Sequence, residues 1–144
     1  MPIRPENRAR YPKDWKVRSF FVRFVRARGR CEWCGVEQYS IVERGGGRKV
    51  TGAHESYAEA RQALADLYAS HYGVEGSVAC PWSIVVLTTA HVFDDRPEAS
   101  SLLNLAALCQ KCHNGHDMKD RAQRRRERIE AESGQARLFA DATP

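Results

Sequence analysis

Three observations predict an α+β fold for these 144 residues. Apolar side chains recur at helical spacing in two well-separated stretches, and short β-branched runs lie between and after them. Two Cys-x-x-Cys pairs, in "RCEWCG" and "LCQKCH", stand 75 residues apart from Cys34 to Cys109, and one metal ion can join them. The length suits a single domain with a real core and is short for two. No apolar run is long enough to cross a membrane, and "MPIRPENRARYPKDW" carries charges and prolines where a signal peptide has its apolar region. The expected setting is therefore the cytoplasm, with no membrane partner. Thiols there stay reduced, which favours metal ligation over disulfides.

Taken in order, "DWKVRSFFVRFVRARG" predicts a helix over 14–29, with Asp14 as N-cap, Gly29 as stop, and Val17, Phe20, Phe21, Phe24 and Val25 as its apolar positions. Lys16, Arg18, Arg23, Arg26 and Arg28 make much of the remaining circumference basic. "EQYSIVERGGGRKVTG" has two strand-like runs around a triple glycine and predicts a β-hairpin. "ESYAEARQALADLYASHYG" spaces Tyr57, Ala60, Leu64, Leu67 and Tyr68 along one helical face and ends at Gly73. Hairpin and helix together form an insertion over about 37–81, and His54 and His71 within it are expected to be surface or packing residues. "SIVVLTTAH" predicts one strand ending in His91. After the acidic loop "VFDDRPEASSLL" come Asn104 and the second cysteine pair.

Charge is uneven. The ends are basic and the middle acidic: residues 1–30 hold ten Lys/Arg against two acids, residues 31–100 five against ten, and residues 101–144 eight against six. Such asymmetry points to a polyanionic partner, most simply nucleic acid. The expected phosphate contacts are Lys16, Arg23 and Arg26 on the first helix, and Arg121, Arg124, Arg125 and Arg128 in "KDRAQRRRERIE". A solvated helix face carrying Asp120, Glu127 and Glu130 is the plainer alternative for that last run.

Zinc prefers four soft ligands in a tetrahedron, and each Cys-x-x-Cys turn offers two thiolates, so Cys31, Cys34, Cys109 and Cys112 are the expected structural zinc site. Cys80 has no partner and reads as a small buried apolar residue. The cysteines leave His91, Asn104, His113 and Asp117 without a task.

At these residues the sequence resembles the HNH endonucleases. His91, then "NLAALCQKCH" with Asn104 and His113, interleaves histidine, asparagine and histidine with both zinc knuckles, and "MPIRPENRARYPKDW…RCEWCG" is similar to the start of small phage and bacterial HNH proteins. The resemblance covers residues 1–36 and 82–120. It implies a ββα-metal core within a single domain over 1–130, and metal-dependent hydrolysis, by nicking, of DNA phosphodiester bonds in the cytoplasm of a bacterial host cell, whether the gene is bacterial or phage-borne. His91 would be the general base, Asn104 would hold the loop or orient the His91 ring, and His113 would ligate a catalytic Mg²⁺ or other divalent ion. Asp117, one helical turn after His113, is the expected second ligand. Many family members have an acid or histidine just before the base, where this chain has Ala90; Asp94 or Asp95 could replace it, and His116 could compete with Asp117. A catalytically degenerate, zinc-stabilised DNA- or protein-binding module is the competing reading. An adaptor that uses the insertion against a protein is a third.

The tail, residues 131–144, is expected to be flexible. Its "QARLF", with Gln135, Leu138 and Phe139, resembles the peptide by which many bacterial DNA-processing proteins bind the sliding clamp, which adds the clamp to the expected partners.

Overall fold

The computed structural model describes residues 5–44, 48–73 and 79–140, without the side chains of residues 6, 119–121, 124 and 133–140. The triple glycine of the predicted hairpin lies outside the described residues. Two compact units divide the chain, Met1–His113 and Asn114–Pro144.

The first unit opens with a 3-10 turn, Pro5–Arg10, and then helix α1, Trp15–Phe20, which runs on as a π-helical stretch, Phe21–Arg26. Asp14 does stand before the helix, but its side chain caps no backbone N–H; its carboxylate instead accepts from Arg18 Nε at 2.9 Å, one turn on. Positive φ at Arg28 and Gly29, 51° and 69°, ends the helical run, and glycine adopts that backbone without a Cβ clash. The buried face is not the predicted one. Val22 is fully buried, whereas Val17 and Phe20 are 70% and 56% exposed. The side chains turned inward are Trp15, Ser19, Val22 and Arg23, a stripe at helical spacing, with Arg26 at its exposed edge. Ser19 Oγ meets Thr89 Oγ1 at 2.8 Å, Arg23 reaches toward the Leu87 carbonyl, and Arg26 donates to the carbonyls of Leu102 and Leu105. Val22, packed on Leu105 and Ala107, and these bonds to backbone carbonyls together seat the inward face.

Strand β1, Ile41–Glu43, and strand β2, Trp82–Ile84, pair antiparallel from Ile41↔Ile84 to Glu43↔Trp82. The second arm of the predicted hairpin meets the other edge of β1: Val42↔Lys49 is an antiparallel bridge, with Glu43 N donating to Arg48 O and Val50 N to Ile41 O, each at 2.8 Å. Its residues 48–50 are exposed, while Ile41 and Trp82 are buried. β1 pairs on both edges, with the local arm predicted from the sequence and with the distant β2, which the sequence does not announce. Between these strands lies helix α2, Tyr57–Tyr72. Ser56 Oγ accepts from Glu59 N, and the Glu59 carboxylate accepts from Glu55 N, a close relative of the capping box. Of its predicted apolar face, Ala60 is buried, Leu64, Leu67 and Tyr68 are half-buried, and Tyr57 is exposed.

"SIVVLTTAH" is broken where one strand was expected. Val85–Leu87 cross from β2 to strand β3, Thr88–His91. At the crossing, Val85 N donates to Ser40 O and Leu87 N to the buried Gln38 Oε1 at 2.6 Å, so the backbone is satisfied outside any ladder. Strand β4, Leu105–Leu108, pairs antiparallel with β3 from Thr88↔Leu108 to His91↔Leu105, following a 3-10 turn at Leu102–Asn104. All four β4 residues are buried. Leu105 and Ala107 pack with Val22, Trp15 and Ala27, while Ala106 and Leu108 join Cys31, Val85, Leu87, Ala90 and Cys109. Two alanines in a strand buried on both faces let helix and knuckle approach closely.

Helix α3, Gln110–Ala140, contributes its first turn to this unit. In the second unit the helix continues through Gly134 to Ala140, where the sequence predicts a flexible tail. Pairs one turn apart, Gln123 with Glu127 and Arg128 with Glu132, support it, and residues 119–132 are rich in good helix formers and contain no proline. Among the described residues no helix is long and apolar enough to cross a membrane.

Candidate functional site

Cys31 and Cys34 sit on a tight knuckle. Cys31 N donates to Val36 O and Gly35 N to Cys31 O, both at 2.8 Å, and the turn closes because Gly35 takes φ 73°. Cys109 follows β4, and Cys112 lies in the first turn of α3. The four sulfurs all lie within 4.8 Å of one another, with Cys34 and Cys109 at 3.6 Å. A tetrahedral zinc with ordinary zinc–sulfur bonds spaces its sulfurs by about 3.8 Å, so this donor set could hold zinc with little adjustment. Among the described residues it is the one group of three or more such ligands that converges. Burial is the strongest influence on the Cys31 thiol and works to raise it, but N–H groups of Cys109, Cys34 and Trp33 outweigh it and bring the thiol down to about 7. In Cys109 and Cys112 burial prevails and the thiols are raised. Cys80 lies outside the cluster, with its thiol 3.6 Å from Trp82 O.

The β3–β4 pair carries the other predicted group. His91 ends β3, half-buried, with its ring stacked on Trp15 at 5.6 Å and 2° between planes; Tyr11 closes a second side at 5.9 Å. Burial lowers its pKa from the ordinary imidazole value; the charges of Asp94 and Asp95 oppose that shift, and His113 adds to it. Ser100 Oγ lies 2.6 Å from Pro97 O and 3.4 Å from His91 Nε2. With the single hydroxyl proton directed to the nearer carbonyl, a bond between Ser100 and the ring requires Nε2–H as the donor. The basic lone pair of neutral His91 is then on Nδ1.

Asn104, 8% exposed, spends its whole amide on the loop that follows His91. Oδ1 accepts from Phe93 N at 2.8 Å and Asp94 N at 3.0 Å, and Nδ2 donates to the carbonyls of Asp94 and Ala99, each at 2.7 Å. Of the two roles expected for it, holding the loop is the one the hydrogen bonds describe; the His91 ring is positioned by Trp15, Tyr11 and Ser100. His113, in the first turn of α3, has Nδ1 2.8 Å from Thr88 Oγ1.

Other predicted residues are otherwise engaged. The Asp94 carboxylate grips Arg96 Nε and Nη2, which holds it down to about 2. Ala90, where a ligand is often found in the resembled family, is buried in the core beside Cys31. Asp117 belongs to the second unit, with Oδ1 3.4 Å from His116 Nδ1. Arg26 is bidentate on Glu32 at 2.9 and 2.8 Å besides its two carbonyls, and Arg23 Nε donates to Ser19 O. Lys16, Arg125 and Arg128 are exposed. The side chains of Arg121, Arg124, Gln135, Leu138 and Phe139 lie outside the described residues.

Sequence reasoning missed Tyr11, Trp15, Thr88 and Ser100. Two aromatics in an otherwise polar N-terminal stretch were the available signal for the first pair. Comparison of the chain with models of known families, with curated proteins and with solved structures finds no match.

Proposed function

We propose that the chain is a metal-dependent endonuclease of the HNH kind, nicking DNA at the site built on β3, β4 and the start of α3. The observation that carries this reading is the set His91, Asn104 and His113. A half-buried histidine with a lowered pKa ends one strand, an asparagine amide pins the loop after it, and a second histidine lies close enough to influence its charge. A neutral imidazole with its lone pair on Nδ1 suits proton removal from a water attacking phosphorus. Stacking on Trp15 and the bond to Ser100 fix the direction of that lone pair. Asn104 keeps the loop from collapsing onto it. His113 would be the protein's ligand to the divalent ion, with phosphate oxygens and water supplying the remainder. When bound, that ion neutralises charge on the scissile phosphate.

The zinc knuckle would hold this arrangement together, and the exposed basic residues Lys16, Arg125 and Arg128, with Arg121 and Arg124, would meet the DNA backbone. Attachment to a sliding clamp through Gln135, Leu138 and Phe139 belongs to the same proposal, with the addition that these residues would dock from a helical backbone or give it up on binding.

A second reading is favoured by a specific observation. Ala90 is committed to the core and Asp94 to Arg96, so two of the positions expected to supply a further ligand beside His91 are taken, which leaves Asp95. A zinc-stabilised DNA-binding module that no longer cuts accounts for that. Incubating supercoiled plasmid with the protein and Mg²⁺, Mn²⁺ or Ni²⁺ separates the two. Nicking that His91→Ala reduces by about 10²-fold or more supports the enzyme. Gel-shift binding by both proteins without nicking by either supports the module.

A further inference from the structure

The inserted segment, for which the sequence offers no chemistry, walls a cleft of about 700 Å³ between β1, β2 and the end of α2. That volume is in the range that holds a small ligand. Its floor is aromatic. Trp82, 7% exposed, is met edge-on by the His71 ring at 5.0 Å and by Tyr72 at 6.0 Å, and Tyr72 itself is 39% exposed. Its rim is cationic. Arg44, Arg48 and Lys49 line it against a single acid, Glu43, although residues 31–100 as a whole carry twice as many acids as bases.

The three cations are not equivalent. Arg48 is paired with Glu43, and Lys49 with Glu37. Arg44 donates Nε to Trp82 O at 3.1 Å, which fixes its guanidinium beside the aromatic floor, and among the described residues no carboxylate pairs with it. A planar cation held at the Trp82 backbone, in the same cleft as the exposed His71 and Tyr72 rings, suits a flat ring that carries a nearby anion. An acidic peptide would satisfy the cation but not the rings, and an apolar ligand the reverse.

We propose that this cleft binds an unpaired nucleotide of a nucleic-acid strand, with the base against Tyr72 and His71 and its phosphate on Arg44. Every base has a π-face, so the site discriminates single strand from duplex and is tolerant of sequence. The cleft's own chemistry carries this inference, which stands whether or not the His91 site cleaves.

The test reads binding in EDTA, where cleavage does not enter. A fluorescently labelled dT12 strand is titrated with the native protein, Tyr72→Ala, Tyr72→Phe and Arg44→Gln, beside a duplex of the same length. Tyr72 is the exposed last residue of its helix and Gln retains a donor for Trp82 O, so both sites tolerate the changes; circular dichroism checks the fold. We expect Tyr72→Ala and Arg44→Gln each to weaken dT12 at least five-fold, Tyr72→Phe to bind as the native protein does, and duplex affinity to stay within two-fold. Unchanged dT12 affinity in both weakening variants, or no binding of dT12 by the native protein at 100 µM or below, overturns the proposal. Competition by thymidine monophosphate as effective as that by the unlabelled strand overturns the assignment to a strand.

Discussion

His91 is the residue on which pH should act most directly. Its folded pKa is lowered, burial being the largest cause, so the ring stays neutral to a more acidic pH than an exposed imidazole of about 6.5. If it is the general base, the rate falls as pH drops through that lowered value, and the acid limb of the rate–pH profile should lie below about 6.5. Trp15→Ala removes the stacked indole, lets water reach the ring and should move that limb upward. A limb that does not move would detach the stacking from the base. The same shift has a sign for stability: with the folded value below the unfolded one, the contribution is present at neutral pH and is lost on acidification through the folded value. Asn104→Ala should show in stability as well as in activity. It leaves two backbone N–H groups and two carbonyls of the 93–99 loop to find new partners, at about 1–3 kcal/mol for each that water cannot reach. Urea denaturation measures this directly, and an unchanged midpoint would show that the loop is held by other means.

Among the elements, the knuckle and helix α1 lean on each other through Glu32, which lies between the two cysteines of the first pair. Its carboxylate holds Arg26 and also accepts from Ala107 N at 2.7 Å, while its own N–H donates to Ala107 O. We expect about one zinc per chain by metal analysis, and loss of fold on chelation or in Cys34→Ser and Cys109→Ser, because binding free energy at such a site is folding free energy. A native fold free of zinc would remove the ion from this role. Arg26→Ala should lower stability by about 1–3 kcal/mol and leave the salt dependence of DNA binding alone, since its donors are directed at Glu32 and two carbonyls. The sequence carries the four converging thiols legibly, because two Cys-x-x-Cys pairs at this spacing have few other uses. It hides how α1 docks, since the carbonyls that Arg26 satisfies lie 76 and 79 residues away in sequence. The pairing of β1 with β2 is hidden for the same reason: the local hairpin arm is legible beside β1, but the strand on its other edge lies about 40 residues on in sequence.

At the scale of the whole molecule, if the chain binds nucleic acid as proposed, charge should govern the contact. Replacing Arg124, Arg125 and Arg126 together by Ala should reduce the slope of log affinity against log salt by up to about 3 if each meets a phosphate. An unchanged slope assigns that run to solvent. The wide separation of the two cysteine pairs also bears on how the chain is made. Cys34 precedes Cys109 by 75 residues, which at about 5–20 residues per second is roughly 4–15 s of synthesis. Through that interval the first knuckle has emerged without β4 and without its second pair of thiols, so neither Glu32 nor Val22 has yet met the strand that buries it. Helix α1, with Val17 and Phe20 exposed even in the finished fold, waits in the same state. Until Cys109 and Cys112 have emerged, residues 15–34 are therefore expected to be open to protease. Nascent chains halted at residue 108 should be cut by protease within α1, and chains long enough to expose Cys112 should resist.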